Sequence, residues 1–322
     1  MTRTDPRPTL FVVRPRGFCA GVERAISIVD QMLERVEGPL YVRKEIVHNK
    51  AVVEDFRRRG VVFIDELDEA PEGSPVVFSA HGVAPEVWDQ ADSRALDVVD
   101  ATCPLVTKVH KQVRVNADRG RHILLIGHEG HDEVVGTMGE APEDITLVTS
   151  EEEAAVIPLP EDRDLYYVTQ TTLSVDQTQG IIDVLKGRRP DLQGPARSDI
   201  CYATQNRQDA VKALVELGID HLLVVGSENS SNSRRLCEVA RDRGIDSDLV
   251  SSVDDLGSLK LSQKVRIGLT AGASAPEYLV QEIIDKYRVS DWEIRHHLVM
   301  EEDTKFELPA ALRGKPDVGS SD

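Results

Sequence analysis

The sequence predicts an α/β fold of parallel sheets built from three like units. Strand-like apolar runs alternate with helix-spaced apolar positions along the whole chain, the pattern of parallel sheets covered by helices. Three cysteines, Cys19, Cys103 and Cys201, each stand where a strand-to-helix turn is expected. After each of them the same series follows: a strand ending in a polar loop, then a second strand ending in a polar loop.

In the first unit, Leu10–Val13 is an apolar run that ends at Arg14-Pro15-Arg16-Gly17. Cys19 lies in the turn, and Gly21–Arg35 then carries Val22, Ile26, Val29 and Leu33 at helical spacing. Two strand-and-loop segments follow, Glu45-Ile46-Val47-His48-Asn49 and Phe78-Ser79-Ala80-His81-Gly82. The second unit opens with Val98-Val99 and Asp100-Ala101-Thr102-Cys103-Pro104. Pro104 suits a first helical position, where a missing N–H costs nothing, and Leu105, Val109 and Val113 share one face of that helix. Its loops are Gly127-His128-Glu129-Gly130-His131 after Leu124–Ile126, and Thr169-Gln170-Thr171-Thr172 after Tyr167-Val168. In the third unit Cys201 follows the short run ending in Ile200, and Ala210, Leu214 and Leu217 mark a helix. Gly226-Ser227-Glu228-Asn229-Ser230-Ser231-Asn232 and Thr270-Ala271-Gly272-Ala273-Ser274 are the loops. Each first loop lies roughly 30 positions after its cysteine. The repeat is one of placement, without obvious identity. Ligand loops in parallel sheets gather at the carboxyl ends of strands, so three units around an axis would bring three cysteines and six polar loops to one cavity.

Composition bounds the function. With 322 residues the chain can bury a large core and hold two or three domains. Only 6 Phe, 6 Tyr and 2 Trp are present, so the core rests on Val, Leu, Ile and Ala. A formal net charge of −18 argues against nucleic acid as a partner, since that binding needs a basic surface. It leaves room for a small anion in a pocket of opposite local sign. Apolar runs such as Ile123–Ile126 and Leu222–Val225 are far too short for a membrane span, and Met1–Pro8 carries no apolar signal core. No membrane association and a cytoplasmic location are expected. The acidic runs Glu151–Glu153 and Glu161–Asp164 read as solvated faces.

Four cysteines in a cytosolic chain are not a disulfide framework, and any one alone reads as a small buried hydrophobe. Three meeting at one point suit a metal site. Structural zinc usually takes a fourth protein ligand and closely spaced cysteine pairs, which this chain lacks; thiolates also hold iron–sulfur clusters. Three ligands would leave one iron of a cubane cluster open as a Lewis acid. Cys237, within the helical stretch Ser233–Arg243, breaks the pattern and reads as packing. The loops offer His48, His81, His131, Thr171, Ser230, Ser231, Asn232 and Ser274, donors with few fixed cations, which describes a diphosphate pocket. Asn229–Ser233 taken alone reads equally as a helix cap. Glu133, two residues after His131, would serve as a proton donor if burial raised its pKa; an ordinary solvated glutamate is the plain alternative.

The stretches Arg14–Val22, Asp100–Val106, Asp199–Thr204, Asn229–Ser233 and Thr270–Pro276 closely resemble the 4-hydroxy-3-methylbut-2-enyl diphosphate reductase (LytB) family, with motifs in order from about Phe11 to Leu312. The resemblance implies a trefoil of three pseudo-threefold-related α/β domains around a central [4Fe–4S] cluster held by Cys19, Cys103 and Cys201. It implies domains over residues 21–103, 104–197 and 198–289, with residues 11–20 packing on the third. Residues 290–322 would be a C-terminal extension, and Gly314–Asp322 reads as a disordered tail. It carries substrate contacts onto the eight loop residues named above and the proton donor onto Glu133. By the family's chemistry, the substrate hydroxyl binds the open iron. Two electrons and two protons then expel water and leave an allyl species, whose protonation at either end gives isopentenyl or dimethylallyl diphosphate. A ferredoxin or flavodoxin would deliver the electrons singly. Glu228 and Gln205 stand beside these motifs without replacing a ligand, and Glu228 should point away from the diphosphate loop. A quinolinate-synthase-like enzyme would want carboxylate-binding arginines instead, and a zinc protein a fourth ligand.

Overall fold

Residues 7–259, 261 and 265–313 are described by the computed structural model, and their strands form three sheets in which every pairing is parallel. The tail Gly314–Asp322 lies outside the described residues. The first strand, β1 (Thr9–Arg14), leads to the turn of Cys19 and to α1 (Ala20–Arg35). Then come β2 (Leu40–Arg43), α2 (Lys50–Arg58), β3 (Val61–Ile64), β4 (Pro75–Phe78), α3 (Pro85–Ser93) and β5 (Asp97–Asp100), whose sheet has the order β3-β2-β4-β5. The second stretch holds α4 (Pro104–Ala117), β6 (His122–Ile126), α5 (Asp132–Met138), β7 (Ile145–Val148), α6 (Glu151–Val156), β8 (Leu165–Thr169) and α7 (Val175–Arg188), with sheet order β7-β6-β8. The third holds α8 (Tyr202–Glu216), β9 (His221–Val225), α9 (Ser231–Arg241), β10 (Asp246–Val250), β11 (Arg266–Ala271), α10 (Glu277–Val289) and β12 (Glu293–Leu298), ordered β10-β9-β11-β1-β12.

One topology recurs three times. The strand after each cysteine helix (β2, β6 or β9) pairs on its edge side with the next strand in sequence and on its other side with the one after that. The chain therefore leaves the two inner strands in opposite directions. Their carboxyl ends flank a crevice, the place where open α/β sheets bind ligands. These six strands, of which β8 ends its own three-stranded sheet, are the ones whose polar loops stand out in the sequence. The edge strands β3, β7 and β10 do not stand out, since no chemistry-bearing loop follows them.

Each sheet is buried on both faces by alternation. Leu10, Val12, Leu223 and Val225 face α10, whereas Phe11, Val13, Leu222 and Val224 face α8 and α9. In the second sheet Leu124 and Ile126 pack toward α6 and α7, and Ile123 and Leu125 toward α4. Period-two burial on both sides makes such strands read as continuous apolar runs.

One expectation needs correction. Cys201 does not follow a strand. The segment before it runs beside β8, with one isolated bridge between Gln193 and Tyr166, and then turns into α8. In the other two sheets a full strand fills this place, β5 beside β4 and β1 beside β11. The C-terminal extension from residue 290 contributes a strand to the third sheet. Glu293–Leu298 forms the edge strand β12 against β1, and its Arg, His and Glu side chains hid it, as charged residues commonly guard sheet edges. Residues 299–313 then cross to α1, where Arg24 donates to Glu307 O, Arg35 donates to Ala311 O and Leu312 O, and Leu312 is buried.

Candidate active site

The three cysteines cap three helices. Cys19 is the N-cap of α1, Cys103 of α4 and Cys201 of α8, so each sulfur faces the positive end of a helix. Each cysteine N–H also donates to the second polar loop of the sheet before it. Cys103 bonds Ala80 O at 3.0 Å, Cys201 bonds Thr171 O at 3.0 Å and Cys19 bonds Ala273 O at 3.2 Å. The loops of His81, Thr171 and Ser274 are thereby tied one by one to the cysteines. All twelve site residues expected from the sequence line one cavity between the three sheets: the three cysteines, His48, His81, His131, Glu133, Thr171, Ser230, Ser231, Asn232 and Ser274. Cys237 is 2% exposed inside α9, away from that lining. Glu228 is exposed and also lies outside it.

The imidazoles form a cluster. His48 and His81 stack with centroids 4.0 Å apart, and His131 meets them edge-on at 5.2 and 5.8 Å. Nδ1 of His131 accepts from the Glu133 backbone N–H at 3.1 Å, which assigns its proton to Nε2. Burial, and then the neighbouring His48, hold His131 at about 3 and keep His81 well below the ordinary imidazole value. Both are neutral donors at pH 7. Carboxylates flank both ring nitrogens of His48, Glu45 at 3.2 Å and Asp132 at 3.8 Å. Ser274 Oγ donates to His48 O at 2.9 Å, joining the third sheet to the first. Thr172 Oγ1 donates to Ser231 Oγ at 3.1 Å, joining the second to the third.

Asn232 is buried with both side-chain polar atoms unpaired, an arrangement that costs free energy until something binds. Ser230 is the N-cap of α9, accepting from Ser233 N–H at 3.3 Å, so this run is both a cap and part of the cavity wall. No Lys or Arg is among the residues lining the cavity.

Glu133 is 3% exposed at the start of α5. Its Oε1 accepts from Thr171 N–H at 2.7 Å, and its Oε2 accepts from Thr171 Oγ1 at 3.0 Å. Burial pushes its pKa up to about 7, against the pull of those two hydrogen bonds. A carboxyl poised there holds a proton at neutral pH and can release it.

The thiols fit a metal-bearing group. A Cβ at Gly21 would come within 2.8 Å of Cys103 Sγ and 3.8 Å of Cys19 Sγ, so glycine leaves the ground between the two sulfurs clear. Burial pushes Cys103 up to about 12 and Cys201 up to about 11, with the neighbouring cysteines adding to both. Bare thiolates are costly in such a place, and a bound metal centre removes that cost. His48, His81 and Asp132 also bring ligand atoms within 4.8 Å of one another. The two rings are stacked with planes 19° apart, however, and an ion cannot lie in both ring planes at bonding distance. The two imidazoles suit hydrogen bonding to an anion instead.

Arg207 of α8 lay outside the sequence expectations. Fully buried, it donates to Gly17 O at 2.7 Å and Ala203 O at 2.9 Å and pairs with Glu302, which fixes the approach to Cys19. Its position in Tyr202-Ala203-Thr204-Gln205-Asn206-Arg207, one turn after a helix start, carries no local signal of burial.

Comparison with known proteins gives one consistent result. The family model for the LytB protein matches residues 10–288. A relative from Histophilus somni named 4-hydroxy-3-methylbut-2-enyl diphosphate reductase is 51% identical over 310 residues, 95% of this chain and 98% of its own. One of the same name from Francisella tularensis is 48% identical over 314 residues, 96% and 98% of the two chains. The solved E-1-hydroxy-2-methyl-but-2-enyl-4-diphosphate reductase of Plasmodium falciparum superposes with a TM-score of 0.92 at 36% identity, covering 95% of this chain and 97% of that one. A second solved structure, of (E)-4-hydroxy-3-methyl-but-2-enyl diphosphate reductase, the terminal enzyme of the non-mevalonate pathway, has a TM-score of 0.63 at 26% identity over 88% and 99%.

Proposed function

The chain belongs to the LytB family, and from that premise we propose that it reductively dehydroxylates (E)-4-hydroxy-3-methylbut-2-enyl diphosphate to isopentenyl and dimethylallyl diphosphate, the last step of the non-mevalonate isoprenoid pathway. The observation that carries this reading is the single cavity in which three helix-capping thiols face a histidine cluster and a buried, protonatable glutamate. The family is one of iron–sulfur enzymes. Cys19, Cys103 and Cys201 would hold a [4Fe–4S] cluster. When bound, it supplies electrons and one iron without a protein ligand, a Lewis acid for the substrate hydroxyl.

The chain's own residues do the rest. His48, His81 and His131, with Thr171, Ser230, Ser231, Asn232 and Ser274, bind the diphosphate. Asn232 gains the partners it lacks, and neutral His131 donates from Nε2. With no Lys or Arg in the lining, specificity comes from placed donors, which also argues against a carboxylate-binding pocket of arginines. Glu133 gives a proton to the departing hydroxyl, which leaves as water, and Thr171 holds the resulting carboxylate through the same two hydrogen bonds. A second proton and two electrons complete the balance at carbon. A ferredoxin or flavodoxin is the donor we propose, delivering one electron at a time, and the cytoplasm is the proposed location. No helix among the described residues is long and apolar enough to cross a membrane.

Anaerobic assay with a reduced one-electron donor tests this directly. The protein should consume the hydroxylated diphosphate and release both isomeric products. Absence of turnover in a sample with full iron and sulfide content overturns the reading.

A further inference from the structure

The first turn of α9 holds a polar side chain that the reaction as derived so far does not use. Ser233 is fully buried, lies outside the cavity lining and is hydrogen-bonded to Ser230. Its hydroxyl sits between the ends of two neighbouring strands of the third sheet. A Cβ at Gly226, just after β9, would fall 2.3 Å from Ser233 Oγ. One at Gly272, just after β11, would fall 2.0 Å from the same atom. Glycine at both strand ends leaves the room that this side chain takes.

The second unit has an apolar residue in the same place. His131 caps α5 as Ser230 caps α9, and the third residue after each cap is Val134 and Ser233 respectively. Gly127 follows β6 as Gly226 follows β9, and a Cβ at Gly127 would fall 2.6 Å from Val134 Cγ2. Val134 is 2% exposed and Ser233 0%. The shared position is therefore a core position, apolar in one unit and polar in the other. A buried hydroxyl costs free energy unless it is hydrogen-bonded. Packing alone gives no reason for the serine.

The hydrogen bonds supply one. Ser230 Oγ accepts from the Ser233 backbone N–H at 3.3 Å, as an ordinary helix cap does, and from the Ser233 hydroxyl at 3.0 Å. A serine oxygen has two lone pairs and one proton to give. Both lone pairs of Ser230 are filled by Ser233, and its proton is left for the cavity that it lines. We propose that Ser233 is a positioning residue that makes Ser230 an obligate hydrogen-bond donor, so that this wall of the cavity favours an anion with bare oxygens. His131 follows the same logic at the start of α5, where Nδ1 accepts from Glu133 N–H and Nε2 is left to donate. The proposal rests on the reading of Ser230 as a diphosphate contact.

A double-mutant cycle on cluster-loaded protein tests it, with inorganic diphosphate as the probe in calorimetry and the hydroxylated diphosphate in steady-state kinetics. Ser233→Ala removes one oxygen and keeps the backbone cap on Ser230, so the helix start is preserved while the Ser230 hydroxyl is free to turn. It should raise Kd and KM about tenfold and leave kcat within about twofold. Ser230→Ala removes the hydroxyl through which Ser233 acts. In that background Ser233→Ala should change neither constant further, whereas a merely structural role would weaken binding by the same factor in both. Equal weakening in the two backgrounds, an unchanged Kd in Ser233→Ala alone, or a loss confined to kcat overturns the proposal. So does wild-type protein with no affinity for inorganic diphosphate, since Ser230 is then no contact for it. The stated coupling in Kd without any turnover upholds the proposal and overturns the proposed reaction instead.

Discussion

At the scale of single residues, burial is the force that shapes the chemistry. The same desolvation that raises Glu133 to about 7 also raises the thiols of Cys103 and Cys201. Its consequences differ because the carboxyl is wanted neutral and the thiols are wanted charged. Glu133 can donate only while protonated, so activity should fall as pH rises through about 7 and hold below it. A pH–rate profile that keeps rising through that value would exclude it as the donor. Glu133→Gln should keep the cluster and bind substrate, yet lose at least about a hundredfold in kcat. Gly21→Ala should lower iron retention, measured by iron and sulfide content after desalting, because its methyl falls 2.8 Å from Cys103 Sγ. The loop residues that line the cavity were legible because they recur at equivalent places. Arg207 was not, for a lone polar residue inside a helix looks the same in sequence whether buried or exposed.

At the scale of elements, the working unit is a helix N-terminus tied to the neighbouring sheet. Each cysteine caps its helix while its N–H holds the second polar loop of the sheet before it. The proposed cluster ligand and the proposed substrate contacts are therefore fixed by one short segment. Arg207 strengthens this at Cys19, and Arg207→Met should destabilise the fold by about 3–5 kcal/mol in chemical unfolding, since Glu302 and two carbonyls lose their partner. Cys237 lies in α9 with no part in such a segment, so Cys237→Ser should leave iron content and turnover unchanged. Iron loss there would reopen the ligand assignment. The inner strands were readable from apolar runs that end in polar loops. The edge strands β3, β7 and β10 end in nothing so distinctive, and β12 alternates with charge. The missing strand before Cys201 shows that the repeat preserves where a cysteine sits more strictly than how the chain arrives there.

At the scale of the molecule, three sheets close on one cavity, and the chain interlocks them. The first strand completes the third sheet, and residues 299–313 return from that sheet to α1. Cavity hydrogen bonds from Ser274 to His48 and from Thr172 to Ser231 do the same on the inside. A net charge of −18 over the chain coexists with a cavity whose lining carries imidazole, hydroxyl and amide groups and no Lys or Arg. The threefold placement of cysteines and loops was visible before any coordinates, because function repeats at the same point of each unit. The interlocking was not, because it depends on which sheet a strand joins. On the proposed reading, three thiols and no fourth protein ligand would hold a cluster that substrate meets directly. Counting iron and acid-labile sulfide in anaerobically prepared protein, while recording its spectrum with and without the hydroxylated diphosphate, tests this most directly. About four of each per chain are expected, with a spectral change on adding substrate that is abolished in Cys19→Ser. Zinc without sulfide, or a full cluster whose spectrum ignores the substrate, would contradict it.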